Sequence, residues 1–230
     1  MSDDGMTLDS QRRAVYLDAL NIRRWEPRNP ELSGSVTEVS DHVSSEGAWE
    51  PLRSAVANCT ACALSASRTQ TVFGSGSPSA GWVIVGEAPG EQEDLRGEPF
   101  VGRAGQLLTE MLRAVGQARE DVFICNVLKC RPPQNRDPLP EETAHCLPFL
   151  RQQLALLKPR VIVAVGRIAA QNILSTQASL SNLRGQTHDY AGIPLIVTYH
   201  PAYLLRSPRE KAKAWQDLMT ARRIHDRQDA

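Results

Sequence analysis

"WVIVGEAPGEQED", residues 82–94, decides how the rest of the chain is read. Its first four residues are apolar, and three of them, Val83, Ile84 and Val85, are β-branched. Such a run is too short for a helix and fits an extended backbone buried on both faces. Gly86 and the Pro89-Gly90 pair then break it, so the stretch predicts a core strand that ends in a tight loop. Outward from it, the same short apolar rhythm returns at 122–126, 161–165 and 194–198. Helical periodicity lies between these runs. Leu107, Leu108, Met111, Leu112 and Val115 form one stripe, and Leu147, Leu150, Leu154 and Leu157 a second, started by Pro140 near its first turn. Residues 167–174 and 208–224 continue the pattern, the last with Trp215, Leu218 and Met219. Strands alternating with helices predict a three-layer α/β/α sandwich around a roughly four-stranded, mostly parallel central sheet. In such sheets ligands sit outside the carboxyl ends of the strands. That places four segments on one edge: "GEAPGEQED" (86–94), "NVLKC" (126–130), "GRIAA" (166–170) and "YHPAYLLR" (199–206).

A chain of 230 residues, 41% hydrophobic and 23% charged, is long enough for one substantial core and short for two. The formal net charge is zero, but residues 1–50 hold ten acids against five Arg. The remainder is therefore mildly basic. Residues 11–25 have the spacing of a short amphipathic helix, and 27–48, rich in Pro, Ser, Gly, Glu and Asp, read as a linker. The expected organisation is an N-terminal extension over 1–48 and one domain over 49–230. No window approaches the ~18 consecutive apolar residues of a membrane span, and the N-terminus has neither basic start nor apolar centre, which predicts a soluble, cytoplasmic protein.

The Gly-rich loop at 86–90 lacks the Lys of a phosphate-binding loop and has only part of a dinucleotide fingerprint. Glu87, Glu91, Glu93 and Asp94 would repel a phosphate. The cysteines carry a different chemistry. Cys59 and Cys62 form a C-x2-C pair, and Cys130 and Cys146 have fifteen residues between them; Cys125, at a predicted strand end, reads as a small buried hydrophobe. Four thiols outside a disulfide framework fit a metal site, and spacing alone leaves zinc and an iron-sulfur cluster both open. Such a site would staple the segment before the first strand to the loop and helix after the second. Pro132, Pro133, Pro138 and Pro140 stiffen the connecting loop, presenting Arg131 and Arg136 where DNA phosphates could meet them.

"GEAPG", "PFVGRAGQLL" (99–108), "NVLKCRPPQNR" (126–136) and "HPAYLLR" (200–206), taken together with the cysteine arrangement, resemble the family 4 uracil-DNA glycosylases, the iron-sulfur branch of their superfamily. The resemblance covers about residues 55–220. It implies a glycosylase that flips uracil out of single- or double-stranded DNA, releases the free base and leaves an abasic site. It also implies a 4Fe-4S cluster on Cys59, Cys62, Cys130 and Cys146, and a monomer. By position, Phe100 would stack on the base, Asn126 would read its amide edge, and His200 would donate to the charge developing at uracil O2. Glu87 is the candidate for positioning or activating water, although other branches place their catalytic Asp or Asn at the next position, here Ala88. Glu93 would stand near base C5, where a thymine methyl would clash. Tyr203, Leu204 and Leu205 would enter the base stack, with Arg206, like Arg136, on phosphate. The acids of the loop would then face a sugar turning cationic. An "RRIH" segment, which a related branch carries in an inserted loop, stands at 222–225 near the C-terminus and reads as coincidence. The alternative of another class is an iron-sulfur nucleic-acid-binding or redox module that keeps the fold without catalysis.

Overall fold

The computed structural model describes residues 45–227. The predicted helix at 11–25 lies outside them. In chain order the elements are α1 (Ser45–Ala57), β1 (Ser75–Gly76), β2 (Trp82–Gly86), α2 (Glu91–Arg96), α3 (Arg103–Ala114), β3 (Phe123–Asn126), α4 (Pro140–Leu157), β4 (Val161–Val165), α5 (Arg167–Leu174), α6 (Leu180–Leu183), β5 (Thr187–Tyr190), β6 (Ile193–Thr198), α7 (Pro201–Arg206) and α8 (Lys211–Arg227). One sheet runs in the order β1-β3-β2-β4-β6-β5. The four expected strands are its centre, and β3, β2, β4 and β6 pair in parallel.

Two further strands border them, both antiparallel. β1 is two residues long and contains Gly76, so no apolar run marks it. β5 is polar, "THDY", and is joined to β6 by Ala191 and Gly192, both at positive φ as a tight hairpin requires. α1 was not expected either, since it starts inside the stretch read as linker. Trp49, Leu52 and Val56 give it a buried stripe at helical spacing.

Successive residues of each central strand face opposite layers. Val83, Val85, Ile162 and Ala164 meet α1, α4 and α5 through Trp49, Leu150, Leu154 and Ile173. Ile84, Ile124 and Val163 meet α3 and α8 through Leu108, Leu112 and Leu218. Cys125 is fully buried in the first of these layers, the small hydrophobe its sequence position suggested. The order also fixes where a ligand can sit. From β2 the chain crosses to β3 on one side and returns to β4 on the other, so the carboxyl ends of β2 and β4 open a crevice at the reversal.

Candidate active site

A cleft of about 490 Å3 lies at this edge, lined by Glu87, Glu93, Phe100, Asn126, Arg136, His200 and Arg206 together with Ala88 and its neighbours. The loops after β2, β3 and β6 thus deliver their polar groups to one place.

Asn126 ends β3 and is only 2% exposed, yet its side chain reaches the cleft floor. Its Oδ1 finds no hydrogen-bond partner among the described residues. A buried acceptor left unpaired costs on the order of 1–3 kcal/mol, a cost a ligand donor would remove. Phe100 stands beside it with φ of 54°, a left-handed backbone that a bulky residue adopts only when its surroundings impose it. Glu93 imposes it. One carboxylate oxygen accepts from Val101 N at 2.9 Å and Gly102 N at 3.0 Å, and the other accepts from Gly90 N at 3.1 Å. Gly105 admits the turn, since a Cβ there would lie 1.6 Å from the Phe100 carbonyl oxygen. Gly86 does the same for the side chains: a Cβ would meet Asn126 Oδ1 at 2.3 Å and Phe100 Cζ at 2.6 Å. The ring and the carboxamide can therefore share the end of β2.

His200 precedes α7, and its ring lies 5.7 Å from that of Phe100. Its Nδ1 accepts from Ala202 N at 3.1 Å, which leaves the proton of a neutral ring on Nε2. Neutrality is favoured: burial first, then the nearby Arg206 cation, push its pKa down to about 4 against an opposing pull from Glu93. Glu87 follows β2 directly, and no described residue hydrogen-bonds its carboxylate. Burial, and next the charge of Asp137, push it up to about 7, with Arg167 opposing.

The expected wedge is only partly available. Tyr203 and Leu205 are 39% and 38% exposed, but Leu204 is fully buried. On the short helix α7 those three side chains cannot all face outward, so Leu204 belongs to the core and not to a DNA-contacting surface. Tyr203 stacks on Tyr199 with ring centroids 5.1 Å apart. Arg136, expected on a stiff loop where DNA phosphates could meet it, is clasped by Glu142 through two bonds of 2.9 and 2.5 Å. Arg131 turns to Asn135 at 2.8 Å. The Pro-rich loop is thereby held against the first turn of α4. The "RRIH" segment is remote, because His225 packs on Trp82 at the opposite end of β2.

Cys59, Cys62, Cys130 and Cys146 line a second, apolar cavity with Leu64, Leu128 and Phe149. Ala88 packs against this cluster while also facing the cleft. Among the described residues no three Cys, His, Asp or Glu side chains are gathered tightly enough to hold one metal ion. Four thiols around a common cavity could together hold a metal centre. One neighbour left no trace in the sequence pattern. Arg68 donates to Cys130 Sγ at 3.1 Å and to the Ala57 carbonyl at 3.2 Å, tying the two halves of the thiol cage together.

A three-layer α/β fold with an aromatic ring, a carboxamide and a neutral imidazole at its switch point defines a class, and the sequence profile of the Uracil DNA glycosylase superfamily matches residues 73–219. The chain belongs to that superfamily. Within it the likeness is to the type-4 enzymes. The type-4 uracil-DNA glycosylase of Thermotoga maritima is 51% identical over 154 residues, 66% of this chain and 80% of that protein. That of Archaeoglobus fulgidus is 47% identical over 162 residues (67% and 81%), and that of Pyrobaculum aerophilum 45% over 177 (74% and 90%).

Proposed function

We propose that this protein is a DNA repair glycosylase that hydrolyses the N-glycosidic bond of uracil in DNA, releasing the base and leaving an abasic site. The observation that carries the reading is the Oδ1 of Asn126, without a partner among the described residues, in a cleft shared with Phe100 and His200. A flipped uracil would slide over the Phe100 ring, and the carboxamide would accept from N3-H and donate to O4, a pattern cytosine cannot match. As the bond from N1 to the sugar breaks, electrons pass to the base and His200 Nε2-H donates to O2. Glu87 takes a proton from water, whose oxygen bonds to the sugar carbon, and the departing uracil anion is later protonated from solvent. Glu93 forms the wall beside base C5 while it holds the Phe100 turn. Tyr203 and Leu205 would fill the space the base leaves, with Arg206 at the rim for phosphate.

Cys59, Cys62, Cys130 and Cys146 would hold a 4Fe-4S cluster, which when bound serves as a rigid corner behind Ala88 and takes no part in the chemistry. One chain supplies every group of the cleft, so the reading needs only a monomer on single- or double-stranded DNA. No described helix is long and apolar enough to cross a membrane, in keeping with action on DNA in the cytoplasm. Purified protein should be brown, with visible absorbance that zinc cannot give, and should release uracil from a uracil-containing oligonucleotide without added metal or nucleotide. Absence of release from both single- and double-stranded substrates would defeat the reading.

The pH dependence follows from Glu87. Its pKa of about 7 in the folded chain lies above the ordinary 4.5. Below 4.5 the carboxyl is protonated folded or unfolded, and its favourable burial is lost as pH rises through 7. The charged form needed to accept a proton is thus the destabilised one. Single-turnover rates should rise between pH 6 and 8 as Glu87 ionises. Glu87→Gln should abolish that rise, lower the rate about 10²-fold and raise the melting temperature measured at pH 8. A variant that keeps the rise would show that another group sets it.

A further inference from the structure

Lys129 is 1% exposed, an unusual place for an ammonium group. No carboxylate among the described residues pairs with it. Its Nζ donates instead to the main-chain oxygen of Asn126 at 2.8 Å and to Gln153 Oε1 at 2.6 Å. Gln153, itself fully buried on α4, passes the chain on: its Nε2 donates to the Phe73 carbonyl at 2.9 Å.

The sheet explains why these two side chains are needed. In β3, Ile124 faces β1 and is paired with Ser75, whereas the N-H of Val127 faces β2 and is bonded to Gly86 O at 2.9 Å. By strand alternation the carbonyl of Asn126 points to the β1 side. Continuing the antiparallel register would set it opposite Phe73, but β1 begins only at Ser75. Two carbonyls, of Asn126 and Phe73, are left across a gap in the sheet, and Lys129 and Gln153 fill the missing rung. Lys129 is anchored on both sides of its own backbone, its N-H donating to Cys146 Sγ at 3.1 Å and its carbonyl accepting from Val72 N at 2.8 Å.

We propose that Lys129, braced by Gln153, is a positioning residue that fixes the backbone of Asn126 and so sets where its carboxamide meets the base, tying that position to the thiol cage next to it. The inference rests on the glycosylase reading and deepens it. Lys129 touches no substrate, so its loss should appear in recognition of the base and not in DNA binding as such. With intact, cluster-loaded protein, wild type is first checked for uracil release, which tests the underlying reading separately. Lys129→Met, close in length but without donors, is then compared with it for inhibition by free uracil and for affinity to abasic-site DNA, which offers Asn126 no base. The expected result is uracil inhibition weakened at least tenfold and cleavage about 10²-fold slower, with abasic-site affinity and cluster absorbance unchanged. If Lys129→Met does not fold, Gln153→Met, which releases only the brace, should show the same split to a smaller degree. Unchanged uracil inhibition, or parallel loss of uracil and abasic-site affinity, would overturn the proposal.

Discussion

His200→Ala should lower the single-turnover rate of uracil release by about 10²–10³-fold while leaving the affinity for uracil-containing DNA nearly unchanged. The imidazole faces a cleft in which charge develops on the base only as the glycosidic bond breaks, so its N-H matters more in the transition state than in the bound ground state. Removing one such preorganised donor costs on the order of 10²–10³ in rate. The structure adds a sign to this expectation. With Nδ1 committed to Ala202 N and a pKa of about 4, the ring acts neutral. An imidazolium donor would lose activity as pH rises through about 6.5; no such loss should occur here. Because the folded value lies below the ordinary 6.5, the contribution of His200 to stability is full above 6.5 and is lost as pH falls toward 4. A His200-dependent decline in rate between pH 6 and 8 would contradict the neutral donor.

Asn126→Leu should cost about 10³-fold in uracil cleavage, with little loss of stability. Leu matches Asn in branching and in heavy-atom count, but cannot answer the N3-H and O4 of the base. Two base groups left unpaired in a closed cleft, at roughly 2 kcal/mol each, amount to about three powers of ten. In the free protein the same exchange removes the buried oxygen that has no described partner, which offsets the bulk of the two methyl groups, so the melting temperature should stay nearly level. Activity lost at nearly constant stability marks a residue whose unsatisfied state is kept for a ligand. A fall in melting temperature with activity retained would assign Asn126 to the architecture alone.

Glu93 and Lys129 illustrate what a linear reading could and could not reach. Glu93 was placed by motif at the base edge, and it does line the cleft. Its bonds to three backbone N-H groups hold the left-handed turn at Phe100, a duty no spacing announces because the partners lie up to nine residues on. Lys129 sits in plain view within "NVLKC", yet only coordinates show that it is buried and spans a gap in the sheet. Leu204 erred the other way. Its apolar neighbours Tyr203 and Leu205 are exposed, and the rotation of about 100° per helical residue turns Leu204 inward between them.

By itself the sequence determined the alternation of short β-branched runs with amphipathic stripes, hence the parallel centre of the sheet. It also determined which loops share its carboxyl edge, and the four thiols with the motifs that place the chain in its superfamily. These are local or periodic properties, set by backbone preference and by which face each residue must bury. Only the tertiary structure decided the two edge strands, the left-handed turn that aims Phe100, the tautomer of His200, the burial of Leu204 and the side-chain rung under Asn126. Each of those depends on which atom lies opposite a given group across the fold, and a hydrogen bond or a steric limit between distant residues exists only once the chain has brought them within reach.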